Sequence, residues 1–90
     1  MVIMWEIKLS KQALKDRALL KGAGLEDKAK QILSILAVNP FSPLPKYEKL
    51  IGDCSGFYSR RLNIQHRLVY RVDEENHVVY VDSMWSHYER

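Results

Sequence analysis

Residues 57–72 read FYSRRLNIQHRLVYRV, and this stretch decides the fold because two strand-like runs meet in it. Phe57 to Ile64 and His66 to Val72 are rich in tyrosine, leucine, isoleucine and valine, with the side-chain alternation typical of strands. If the chain reverses about Ile64, the two runs form an antiparallel hairpin. The register of that hairpin then decides which side chains share a face, because a slip of one residue exchanges the two faces.

In this register Arg61 lies opposite Arg67 on the same face of the sheet, while Arg60, Leu62 and His66 lie on the other face. Like charges directly across a sheet destabilise it, so the pair calls for a carboxylate partner or an external anion. The alternative is that the two arginine side chains diverge into water with their stems on the sheet. The residues alone leave both interpretations open.

Upstream of the hairpin, the sequence predicts one strand and two helices. Val2 to Lys8 alternates as a strand does, and Ser10 is suited to cap a first helix that Gly22 and Gly24 end. Apolar residues at helical spacing predict a second helix, which Asn39-Pro40 ends. Those residues are Leu25, Ala29, Ile32, Leu33 and Leu36. The stripe of the first helix is only partial and consists of Ala13, Leu14, Ala18 and Leu20.

Beyond the second helix, three prolines at positions 40, 43 and 45 keep the chain extended. A short strand is expected over Tyr47 to Ile51 and a last strand over His77 to Trp85, with a polar turn at residues 73–76 before the last strand. The order β-α-α-β-β-β-β predicts an α+β fold, a small and mostly antiparallel sheet with both helices on one face. Residues 1–90 are expected to form a single domain.

Composition limits the functional classes. The 90 residues are 47% hydrophobic and 28% charged, a globular balance, and one cysteine cannot form a disulfide within the chain. No apolar run approaches the ~20 residues of a membrane span. The N-terminal segment does not resemble a signal peptide. A soluble cytoplasmic protein is therefore expected.

The net charge of +3 is unevenly distributed along the chain. Residues 41–72 carry six basic and two acidic groups, whereas residues 73–90 carry one basic and five acidic groups. Four of the six basic residues in the middle segment are arginines, whose planar guanidinium suits bidentate phosphate contacts. Solvated strand faces are the plain alternative for any single arginine. The four arginines taken together favour an anionic partner, and nucleic acid is the first candidate.

The titratable groups add a candidate chemistry. Three histidines without ligand spacing and a lone cysteine do not predict a metal site, and no cofactor is expected. Glu48 lies in the basic stretch, and His87 follows Trp85 near the C-terminal end. A carboxylate, an imidazole and an arginine pair suffice for metal-free RNA cleavage, with the aromatics available to stack on bases. The alternative is a surface glutamate, an edge histidine and aromatics that fill the core.

Four motifs resemble those of the YoeB/Txe toxins, a branch of the RelE-like superfamily of bacterial toxin–antitoxin systems. They are PKYEKL at residues 45–50, SGFYSRRL at 55–62, HRLVYRV at 66–72 and HY at 87–88. The resemblance implies a RelE-like fold and a ribosome-dependent endoribonuclease that cuts mRNA in the A site. The implied reaction is transesterification by the 2′-OH without a metal ion.

The resemblance also implies a role for each matching residue. Glu48 corresponds to the general base, His87 to the general acid and Arg67 to the arginine that stabilises the transition state. Four further residues are expected to bind the substrate: Arg60, Arg61, Lys49 and Tyr88. The family carries a lysine three residues after the glutamate, where this chain has Ile51, and its nearest lysine is Lys49.

The implied partners are a cognate antitoxin of the Phd/YefM type, the ribosome with its mRNA, and a second copy in a homodimer. Operator DNA would be bound only through the antitoxin complex. Two other functions compete with this one. The chain could be a non-catalytic relic that binds antitoxin and nucleic acid in autoregulation, or a ribonuclease that acts without the ribosome.

Overall fold

A computed structural model describes residues 4–44, 46–52 and 55–87, with the side chain of His87 excepted. The helices are α1 (Lys11–Gly22) and α2 (Glu26–Val38), and the strands are β1 (Glu6–Leu9), β2 (Tyr47–Lys49), β3 (Tyr58–Arg61), β4 (His66–Asp73) and β5 (Val78–His87). The strands form one sheet in the order β1-β5-β4-β3-β2, parallel only between β1 and β5. The predicted α+β class and element order are confirmed.

The hairpin between β3 and β4 has the predicted register, with Arg61 opposite Arg67. The strand predicted over Phe57 to Ile64 is too long at its C-terminal end, because β3 ends at Arg61. The side chain of Asn63 ends the strand: its Oδ1 accepts hydrogen bonds from the backbone N–H groups of Gln65 at 2.8 Å and His66 at 2.7 Å. This side-chain turn takes the place of strand pairing.

The first helix begins and ends where the sequence predicts. The Ser10 hydroxyl accepts a hydrogen bond from the Ala13 N–H at 3.0 Å and donates one to the Asp82 carbonyl at 2.6 Å. This single hydroxyl therefore caps α1 and connects it to β5. At the other end Gly24 has a φ of 73°, the left-handed conformation in which glycine is favoured, and the Leu25 N–H reaches the Leu20 carbonyl.

The buried face of α1 differs from the predicted stripe. Leu14 is 51% exposed and Ala18 is exposed, whereas Asp16 is buried. The Asp16 carboxylate accepts hydrogen bonds from the Met84 N–H and the Gln12 amide, both at 2.9 Å. A charged residue is tolerated on the inner face because it binds a backbone donor of β5.

The hydrophobic core lies between the two helices and one face of the sheet. Its helical members are Ala13, Leu20, Ala29, Ile32 and Leu36, its strand members are Leu68, Tyr70, Val79, Val81 and Met84, and Leu62 joins them directly after β3. Both helices therefore cover the same face, as predicted, and the opposite face is available for function. Within the described ranges, no helix is long and apolar enough to cross a membrane.

Arg60, predicted to bind substrate, lies in the interior with 0% exposure. Its guanidinium donates hydrogen bonds to the carbonyls of Pro40 and Ser42, each at 3.0 Å, and to the Tyr70 hydroxyl at 3.1 Å. It also lies 5.0 Å from the centre of the Tyr47 ring. The substrate-binding assignment is corrected here, because strand alternation turns Arg60 towards the helix side, where it anchors the proline segment.

Replacing Arg60 should therefore destabilise the fold. Arg60→Met removes the charged donor, so the Ser42 carbonyl loses its bond to the guanidinium and the Pro40 carbonyl keeps only the one from the Tyr70 hydroxyl. We therefore expect the free energy of unfolding to fall by about 3 kcal/mol or more. The matched control is Arg61→Met at the exposed neighbouring position, where a change below about 1 kcal/mol is expected. Urea unfolding followed by circular dichroism measures both. Equal losses in the two variants would contradict the assignment.

Tyr70 should make the fold sensitive to alkali. Burial raises the pKa of its phenol above the ordinary value, and the hydrogen bond and charge of Arg60 lower it only in part. Because the pKa of Tyr70 is higher in the folded state than in the unfolded state, its contribution to stability is fully present below about pH 10. That contribution is lost as the pH rises through the folded-state pKa. Melting temperatures measured between about pH 8 and 11 should therefore fall less steeply in Tyr70→Phe than in the wild type.

Candidate functional site

The face of the sheet away from the helices carries two rows of side chains that cross the strands. In one row Glu48 of β2 lies opposite Ser59 of β3, which lies opposite Val69 of β4. In the next row Arg61 of β3 lies opposite Arg67 of β4, whose partner on β5 is Ser86. The sheet thus brings the predicted base and both predicted phosphate-binding arginines to one face.

A cavity of about 490 Å³ opens beside these rows. It is lined by Lys28, Lys46, Glu48, Ser59, Arg61, Leu62, Asn63 and Ile64. Three of these side chains are cations and one is a carboxylate, so the cavity attracts anions. Lys28 comes from α2 and was not predicted. Nothing in the local sequence separates it from Lys30, the other lysine of α2, and only the packing of the helix brings Lys28 to the cavity.

The arginine pair dominates the electrostatics of the second row. Arg61 is exposed and Arg67 is half-buried, and their backbone positions are directly opposed. Two arginines at opposed strand positions offer more hydrogen-bond donors than one, and each guanidinium has the planar geometry that phosphate oxygens accept. The arrangement therefore provides donors for the oxygens of a phosphodiester.

Glu48 occupies the accessible edge of the site. It is exposed, and β2 is one of the two edge strands of the described sheet, so its carboxylate can reach a ligand in the cavity. Neither of the ion pairs found among the described residues, Lys8–Glu6 and Lys30–Glu26, involves Glu48. A carboxylate in this setting can accept a proton from a bound hydroxyl group.

Lys49 is not brought to the site, although it was predicted to bind substrate. It pairs with Tyr58 on β3, one position from Glu48, and successive residues of a strand point to opposite faces. Lys49 instead lines a separate depression with Ile51, Phe57 and Tyr58. Adjacency in sequence suggested a role near Glu48, and strand alternation excludes a position on the same face.

The C-terminal part of the predicted site is described only in its backbone. Strand register places His87 opposite His66, next to Ser86, the partner of Arg67. The side chain of His87 and the whole of Tyr88 lie outside the described residues. Trp85, considered for stacking on bases, instead stacks on His66 with ring centres 3.8 Å apart and planes 18° apart. This stack packs Trp85 against the core.

The site assembles charged groups and a group that can transfer a proton. Across the described ranges, no group of three or more histidine, cysteine, aspartate or glutamate side chains is placed to hold a metal ion. What the sheet presents is a carboxylate at the edge, an arginine pair beside it and lysines on the rim. These groups can bind a phosphodiester and remove a proton from a hydroxyl next to it.

Comparison with known proteins gives one consistent family. Residues 10–88 match the family of YoeB-like toxins of bacterial type II toxin-antitoxin systems. A Toxin YoeB from Synechocystis sp. is 37% identical over 75 residues, which cover 83% of this chain and 78% of that protein.

Solved structures agree with that match. A YoeB/ParE toxin from Agrobacterium tumefaciens superposes with a TM-score of 0.82 at 28% identity, covering 92% of this chain and 99% of the other. A chain of the YoeB-YefM complex from Staphylococcus aureus gives a TM-score of 0.77 at 32% identity, with coverages of 93% and 98%. Sequence and fold thus point to the same relatives.

The opposite placements of Arg61 and Lys49 can be tested by RNA binding. Loss of one phosphate contact to a single strand should reduce the slope of log affinity against log salt concentration by about 0.7. We expect this reduction in Arg61→Gln and an unchanged slope in Lys49→Gln, which removes the same charge on the other face. Fluorescence anisotropy with a labelled oligonucleotide at several salt concentrations measures it. A larger effect from Lys49→Gln would contradict the geometry.

Proposed function

The chain belongs to the YoeB-like toxins of bacterial type II toxin–antitoxin systems, and we propose that it is an endoribonuclease that cuts mRNA in the ribosomal A site. The observation that carries this proposal is the grouping of Glu48, Arg61 and Arg67 on the open face of the sheet. The cations on the cavity rim, Lys28 and Lys46, support an RNA substrate rather than a neutral one.

The proposed reaction is an attack by the ribose 2′-OH on the neighbouring phosphorus. The Glu48 carboxylate takes the 2′-OH proton as the new P–O2′ bond forms. Arg67, with Arg61 beside it, stabilises the negative charge that builds on the phosphorus oxygens. His87 gives a proton to the 5′-oxygen as the P–O5′ bond breaks. The products are a 2′,3′-cyclic phosphate and a free 5′-hydroxyl, and none of these steps requires a metal ion.

Exposure of the site supports dependence on the ribosome. Glu48 and Arg61 are both exposed on the sheet surface. Exposed side chains constrain a flexible RNA strand poorly, and catalysis of this kind depends on holding the reacting atoms close to in-line geometry. We assign that positioning to the ribosome, which holds the mRNA while the toxin supplies the proton-transfer and phosphate-binding groups. We therefore propose that the protein acts in the cytoplasm.

Related structures indicate the protein partners. The Staphylococcus aureus relatives include a YoeB-YefM complex, a heterotetrameric YoeB-YefM complex and a YoeB dimer. By this likeness we propose an antitoxin of the YefM type as the cognate inhibitor, with a homodimer of the toxin as a second assembly. Contact with operator DNA is assigned to the complex with the antitoxin.

Three substitutions test the catalytic roles. Glu48→Gln and His87→Ala should each slow cleavage by about 100-fold or more, the usual worth of a positioned acid or base. Arg67→Gln should slow it comparably through lost charge stabilisation. Cleavage is measured on translating ribosomes programmed with a defined mRNA, and Lys49→Ala, on the other face, should cut like the wild type. End-group analysis should find 2′,3′-cyclic phosphates.

Two controls make the result interpretable. Each variant is checked for unchanged thermal unfolding and antitoxin binding, so that lost cleavage reports on chemistry. The same mRNA without ribosomes should be cut far more slowly, and equal cutting would argue for a ribosome-independent ribonuclease. Wild-type protein that binds antitoxin and cuts nothing would favour the non-catalytic binding module.

A further inference from the structure

Ser59 stands out among the residues that line the cavity because its hydroxyl is buried without a partner. The residue is 1% exposed, and its Oγ makes no hydrogen bond to any described residue. A buried hydroxyl without a partner costs about 1–3 kcal/mol. Native structures contain few such groups, and each requires an explanation. Alanine would fill the same space without that cost.

Among the described side chains that neighbour Ser59 on this face of the sheet, the strand register identifies one acceptor for the hydroxyl. Ser59 lies opposite Glu48 on β2 and opposite Val69 on β4, and Arg61 follows two positions later on the same face. Valine has no polar side-chain atom, and arginine has no acceptor. The Glu48 carboxylate is therefore the acceptor among these three neighbours, and it lines the same cavity.

The separation of Ser59 and Glu48 across the two strands permits a hydrogen bond between their side chains. Residues directly opposite in an antiparallel pair have Cβ atoms about 4.5–5.5 Å apart. Rotation about the side-chain torsions of Glu48 is enough to bring a carboxylate oxygen to the Ser59 hydroxyl, with no movement of the backbone. Because Glu48 is exposed and belongs to neither of the ion pairs found among the described residues, its carboxylate can reach this position without breaking a salt bridge.

We propose that Ser59 is a positioning residue for Glu48: when RNA occupies the cavity, the hydroxyl donates a hydrogen bond to the carboxylate and fixes its direction. The second carboxylate oxygen is then left to take the 2′-OH proton. This inference rests on the proposed role of Glu48 as the base. It also accounts for the unpartnered state of Ser59 here, since the bond forms only when RNA holds the carboxylate inward.

The test is single-turnover cleavage of mRNA on ribosomes by Ser59→Ala. We expect the maximal rate to fall about tenfold, the worth of one hydrogen bond to a charged group, while the toxin concentration for half-maximal rate stays unchanged. Ser59→Thr, which keeps the hydroxyl, should recover most of the rate. Ser83→Ala is the matched control, because Ser83 pairs with Val69 from β5 and does not line the cavity.

A double-mutant cycle distinguishes positioning from a general structural effect. In a Glu48→Gln background, Ser59→Ala should cause little further loss, because the group through which it acts is already gone. The melting temperature of Ser59→Ala should equal or exceed that of the wild type, since a buried unpartnered hydroxyl is removed.

Two results would overturn the proposal while leaving the ribonuclease assignment intact. One is wild-type cleavage by Ser59→Ala, and the other is the same tenfold loss in both backgrounds. A wild-type protein that leaves mRNA on ribosomes uncut overturns the ribonuclease assignment itself, and the role of Ser59 with it. Failure of the inference alone is thus distinguishable from failure of the proposed function.

Discussion

The buried guanidinium of Arg60 is the constraint on which the rest of the structure depends. A charge in the core is costly to desolvate, and it is tolerated because the oxygens of Pro40, Ser42 and Tyr70 accept its hydrogen bonds. Two of these acceptors belong to the proline segment that follows α2, which the guanidinium thereby fastens to the centre of the sheet. That segment leads directly into β2, so the position of Glu48 at the site depends on Arg60 below it.

Much of this arrangement could be predicted from the sequence, and the exceptions have separate causes. The hairpin register followed from the two strand-like runs, and it correctly placed Arg61 opposite Arg67. Lys49 was assigned to the substrate because it adjoins Glu48 in sequence, although alternation along β2 turns it to the other face. For Arg60 the alternation had already indicated the other face, and the substrate role was assigned in spite of it; the structure shows a buried guanidinium there. Lys28 was missed because its place depends on the packing of α2, which no local pattern encodes.

A shift in the pairing of β4 and β5 allows β5 to contribute both to the core and to the candidate site. From Tyr70 to Asp73 the strands keep one register, but it shifts on either side of Val69, so that Arg67 pairs with Ser86. Continuing the first register would have paired Arg67 with residue 84. The shift lets Met84 remain in the core, with its N–H bound to Asp16, while the end of β5 extends alongside the arginines. β-Bulges often adjust strands beside functional sites in this way.

The position of β5 in the sheet has a consequence for the synthesis of the protein. Of the five described strands β5 comes last in sequence, yet it lies between β1 and β4, and within the described part of the chain it is the strand that pairs with β1. A nascent chain that has not yet released β5 cannot close the sheet, and its N-terminal strand must wait for a partner some seventy positions later. The surface that bears Arg67 is therefore completed only after β5 has emerged from the ribosome, because Arg67 pairs with Ser86 of that strand. A nascent chain that still holds β5 inside the ribosome does not present the finished site.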